Sequence, residues 1–109
     1  MLSQKFGDRY NALRNDITKS IREILDKQED KELDLYETET FIYMSENDDY
    51  DSTLVRLEVI GIHYDKDGET LVLELKNPDT DLYTSTYLNN LHTSEMIEIC
   101  QTMENVTEE

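Results

Sequence analysis

The chain has 109 residues, of which ten are basic and twenty-six acidic, for a formal net charge of −16. One domain accommodates that length, and such an acidic balance argues against direct contact with nucleic acid or an anionic membrane, both of which need positive surface. A single cysteine, Cys100, excludes an intramolecular disulfide and a multi-cysteine zinc site.

Residues 3–28 read as a helix. Phe6, Tyr10, Leu13, Ile17, Ile21 and Ile24 recur at spacings of four and three, which places them on one stripe. Ser3 suits a cap, and Gly7 weakens the first turns, which moves the expected start toward Asp8. The stripe is expected to cover a sheet; its 4-3 spacing also resembles a short heptad seam, so a homodimer through this N-terminal helix is a second expectation. Residues 1–28 carry six basic and four acidic side chains, whereas residues 29–109 carry four basic and twenty-two acidic. The acidity therefore belongs to the sheet and the C-terminal part of the chain.

A strand is expected near 39–44, with a short strand before it at 33–36. Residues 45–52 form a polar loop bearing Asp48, Asp49 and Asp51, expected as a solvated segment or a contact for a basic partner. The centre of the chain, residues 53–76, reads as a hairpin. Leu71, Leu73 and Leu75 alternate with polar residues, as a half-buried strand requires. In the first arm, Val55, Leu57 and Val59 share one face, but Ile60, Ile62 and Tyr64 fall on the other. A bulge near Gly61 would re-aim the pattern. Asp67-Gly68 supplies the turn. His63, Asp65, Asp67, Gly68 and Glu74 also match a calcium-loop spacing, as Asn47, Asp49, Asp51 and Glu58 do in part. The strand context favours an ordinary hairpin for the first and a loop for the second.

Asn77-Pro78-Asp79-Thr80 is a turn. Residues 82–88 follow as an edge strand with Tyr83, Ser85 and Tyr87 on one face. Thr93 or Ser94 then caps a helix over 93–105, whose buried stripe is Met96, Ile99, Cys100 and Met103. The expected architecture is α+β: an antiparallel β-meander of three or four strands, with the N-terminal and C-terminal helices packed on one face.

Catalytic signatures are missing. Cys100 lies on an apolar stripe, the two histidines have no metal-ligand spacing, and no glycine loop cradles phosphate. The expectation is a non-catalytic acidic protein-interaction module of the cytoplasm, with no cofactor and no metal. The alternative is a charge-based inhibitor, an immunity protein or DNA mimic, of a basic nucleic-acid-binding protein. Candidate contact residues are Asp48, Asp49, Asp51, Asp79, Asp81, Tyr83 and Tyr87.

The strand over 54–64, the Asp65-Lys66-Asp67-Gly68 turn, the strand over 71–75 and the run from Leu88 to Ile99 resemble small uncharacterised acidic α+β proteins of bacteria. That resemblance implies a bacterial cytosolic origin and no particular activity. The helix-first order is also similar to that of the small acidic secretion chaperones, which are dimeric adaptors. This chain lacks their later strands and final helix.

Overall fold

The computed structural model describes residues 2–45 and 54–108, with side chains from residue 7 onward. Helix α1 spans Leu2–Asp26. Strands β1 (Glu32–Asp34), β2 (Phe41–Ser45), β3 (Leu54–Tyr64), β4 (Leu71–Lys76) and β5 (Tyr83–Tyr87) follow, and α2 (Thr93–Thr107) closes the chain after a single 3-10 turn at Leu88–Asn90. All pairings are antiparallel. The expected α+β class with N- and C-terminal helices is observed, but the sheet departs from a simple meander of three or four strands, because β1 and β2 both pair with β3 rather than with each other.

Among the described residues the sheet has five strands but is four wide. β1 and β2 lie end to end along the same edge of β3, with Leu33 opposite Ile62 and Phe41 opposite Glu58. Backbone bonds continue the ladder on both sides of the interruption: Leu35 N–H donates to Ile60 O (3.0 Å) and Val59 N–H to Thr40 O (2.8 Å). Residues 36–39 loop out between them. Glu37 and Glu39 adopt positive φ (64° and 59°) to make that excursion.

β3 carries the irregularity that the faces of the sheet depend on. Val59 opposes Leu75 and Gly61 opposes Glu74, so Ile60 is an extra residue with no partner on β4. The bulge reverses the alternation. Val55, Leu57 and Val59 before it, and Ile62 and Tyr64 after it, all join the core beside Leu71, Leu73 and Leu75.

Both helices cover this one face. Met96, Ile99, Cys100 and Met103 supply the α2 stripe, as its spacing predicts. On α1 the buried residues are Ile17, Ile21 and Leu25, with Ile24 partly covered. Leu25 thus takes a place that the 4-3 spacing assigns to Ile24. Tyr10 and Leu13 stay about half exposed (50% and 46%), because that part of the helix reaches past the main core. Gly7 does not delay the helix, which runs from Leu2. Nor does Thr93 or Ser94 cap α2. The N-cap is His92, whose N–H donates to the Glu95 carboxylate at 3.1 Å. The second carboxylate oxygen of Glu95 receives Tyr43 N–H at 3.1 Å, which ties the helix start to the outer edge of β2. α2 also runs two residues past Asn105.

Arg14 fastens α1 to the segment before α2. Its guanidinium donates to Leu91 O (3.0 Å), Asn89 O (3.0 Å) and Thr93 Oγ1 (3.1 Å). Among the described residues, no helix is long and apolar enough to cross a membrane.

In an unbroken strand, Leu57 and Ile62 would face opposite sides of the sheet; the bulge puts both in the core. Leu57→Ala and Ile62→Ala are each expected to lower stability by about 2–5 kcal/mol in urea unfolding. A cost within about 0.5 kcal/mol, typical of a surface site, at either position would place the bulge elsewhere.

Candidate functional site: the helix-free face of the sheet

Strand register defines what the uncovered face presents. One row across the sheet reads Phe41, Glu58, Lys76, Tyr83; a second reads Asp34, Gly61, Glu74, Ser85; a third reads Glu32, His63, Val72, Tyr87. Tyr43 and Arg56 pair beyond the first row. Antiparallel sheets with one solvated face usually present polar residues there. This face instead mixes aromatic rings with carboxylates.

Two of the rings already hold cations of this chain. The Arg56 guanidinium sits 4.6 Å from the Phe41 centroid, and the Lys76 ammonium sits 5.9 Å from that of Tyr83. Lys76 also pairs with Asp81 at 3.4 Å. Tyr83 first and Asp81 second hold the Lys76 ammonium more firmly protonated than usual.

A recess of about 470 Å³ opens in the middle of this face, lined by Glu32, Asp34, Tyr36, Ile60, Gly61, His63, Glu74 and Tyr83 among others. Ile60, the bulged residue, is outside the helix-covered core yet only 6% exposed. Tyr36 enters from the loop after β1, where Asp34 Oδ1 accepts its N–H at 2.8 Å. The Tyr36 phenol is pushed above its ordinary range, chiefly by desolvation, then by the Tyr83 phenol and the Asp34 carboxylate.

His63 faces acceptors at both ring nitrogens: Glu74 Oε1 at 2.7 Å from Nε2 and Tyr64 O at 2.8 Å from Nδ1. Only the imidazolium donates to both at once. The Glu74 hydrogen bond, followed by the Tyr64 carbonyl, raises the His63 pKa above 6.5 against a smaller desolvation penalty.

The calcium-like spacing resolves into a hairpin turn. Asp65 N–H donates to Thr70 O (2.7 Å), and Gly68 takes φ of 73°. Asp67 accepts from the Glu69 and Thr70 N–H groups and from the Thr70 hydroxyl. Those bonds pull its carboxyl down to about 2, the Thr70 N–H contributing most. Glu74 is turned instead to His63. No group of three or more metal-ligating side chains converges among the described residues. The Cys100 thiol is buried, and desolvation ahead of Glu104 pushes it up to about 11.

Of the contact residues anticipated from sequence, Tyr83 and Tyr87 share the open face, and Asp81 reaches it through Lys76. Asp79 stays in the exposed turn, its N–H on Asn77 Oδ1 at 2.9 Å. Asp48, Asp49 and Asp51 lie outside the described residues. Sequence reasoning missed Tyr36, Tyr43, Ile60 and the His63–Glu74 pair as members of one surface. The Ile60-Gly61 break in alternation was the available signal. No family model, curated protein or solved structure matches the chain.

Because the folded His63 pKa is raised, its pair contributes stability fully below about pH 6.5, and that contribution is lost as pH rises through the folded value. The side chains are 35% and 44% exposed, so solvent screening holds the effect below about 1 kcal/mol. Wild type should lose more urea stability than His63→Gln between about pH 6 and pH 8.5. Equal losses would remove the pair as a source of pH dependence.

Proposed function

We propose that this chain is a non-catalytic protein-interaction module that docks a basic partner on the helix-free face of its sheet. One observation carries the reading: Tyr36, Tyr43, Tyr83 and Tyr87 are between 46% and 63% exposed on or beside a face that neither helix covers. Tyrosine supplies large amphipathic contact area and is enriched in interfaces. The carboxylates of Glu32, Asp34, Glu58 and Glu74 interleave with those rings, and a net charge of −16 adds long-range attraction toward a positive surface. A charge-based inhibitor of a basic nucleic-acid-binding protein is the narrower form of this proposal. A cytoplasmic setting goes with it.

A second reading, self-association through α1, is supported by the half-exposed Tyr10 and Leu13 on the stripe that buries Ile17 and Ile21. Leu13→Lys should convert a dimer to a monomer in light scattering. A wild-type protein that is monomeric at high concentration ends this reading.

For the main reading, the tagged protein is used as bait in host lysate at low and high salt, beside a Tyr36→Ser/Tyr83→Ser variant. The expected result is a basic partner, held more weakly at high salt and lost with the variant. A partner captured equally by both proteins, or none at either salt, would overturn it.

A further inference from the structure

We propose that the recess between Tyr36 and Tyr83 is a receptor for a single arginine side chain presented by the basic partner. This inference rests on the open-face docking reading and names the chemistry at its centre. Four observations converge on it.

The first is shape. Tyr36, from the loop after β1, and Tyr83, from β5, come from opposite sides of the sheet and both line the recess. Ile60 and Gly61 lie between them in the lining of the recess. The second is the glycine. Gly61 has no left-handed φ, and a Cβ built there would meet Leu33 O at 3.5 Å and Glu74 Cβ at 3.8 Å, which is ordinary contact. Neither backbone conformation nor crowding demands glycine at 61. Its missing side chain keeps the floor open.

The third is charge. Glu32, Asp34 and Glu74 line the recess against His63, and Lys76 sits over the Tyr83 ring beside it, so the site stays net negative even with both cations charged. Asp34 receives the Tyr36 N–H on Oδ1 and Glu74 receives His63 on Oε1. Each carboxylate has a second oxygen outside those two bonds. The fourth is precedent on the same face: the Phe41 and Tyr83 rings already attract Arg56 and Lys76. A guanidinium is planar, stacks on aromatic faces and forks onto carboxylates, which an ammonium cannot do in the same way. Arginine is therefore the preferred guest.

The test uses the whole chain, isotopically labelled, and a capped pentapeptide with central arginine flanked by valine and threonine. Amide shifts are followed on titration. They should concentrate at Tyr36, Ile60, Gly61 and Tyr83. Replacing arginine by citrulline, which keeps the shape and removes the charge, should weaken binding about 3- to 30-fold. Asp34→Asn, which retains the oxygen that accepts Tyr36 N–H, and Gly61→Ala, whose methyl the contacts above accommodate, should each weaken it while leaving the rest of the spectrum in place.

Equal binding of the citrulline peptide, or shifts scattered over the acidic loops and unchanged in both variants, would overturn the arginine receptor. If the serine double variant still loses the partner from lysate in that case, the docking face stands and only its proposed guest falls. If the partner is also retained, both readings fall together.

Discussion

The bulge at Ile60 is the constraint that the other features rely on. A strand of eleven residues in strict alternation would divide its apolar side chains between two faces, and the helices cover only one. With one extra residue, Leu57, Val59, Ile62 and Tyr64 all reach the core. The same extra residue leaves Ile60 outside that core, beneath the aromatic face. One local irregularity therefore completes the helix-covered side and creates the recess on the other.

The uneven charge of the chain has a structural counterpart. The basic helix α1 packs against an otherwise acidic body, and its arginines bridge the two. Arg14 binds carbonyls of the segment leading into α2. Arg22 donates to Glu69 O and lies 5.9 Å from the Tyr64 ring. The Tyr64 hydroxyl in turn donates to Asp26 at 2.7 Å; desolvation and that carboxylate push its phenol up to about 12. The two arginines thus use carbonyl and hydroxyl oxygens and a ring, and Tyr64 uses the Asp26 carboxylate; together these directional bonds locate the helix.

The two faces of the sheet then have different tasks. The covered face buries branched aliphatic side chains, each worth about 1.5–3 kcal/mol when fully removed from water. Anchors on the open face among the described residues include Arg56 on Phe41, Lys76 between Tyr83 and Asp81, and His63 on Glu74. Such contacts are individually weak. They hold the rings and carboxylates in place without covering them, which suits a surface that a partner must desolvate.

Periodicity in the chain determined a good deal by itself. The stripe of α2, the alternation of β4, the Asp-Gly turn and the helix-sheet-helix order were legible because each depends on local spacing. The break in β3 was legible too, since Val59 and Ile60 cannot both obey a period of two. Tertiary structure decided the rest. Leu25 displaced Ile24 in the core because the angle at which α1 meets the sheet selects among neighbouring apolar positions. His92 became the cap of α2 because Glu95 could satisfy its backbone N–H while also holding Tyr43. Tyr36 joined Tyr83 only through the interrupted pairing of β1 and β2 along β3, a long-range register that no local pattern specifies. The fold was readable because burial imposes a period on each element. Of the candidate site only Tyr83, Tyr87 and Asp81 were readable, because the site as a whole is assembled from residues on five strands and a loop whose alignment only the pairing of the sheet establishes.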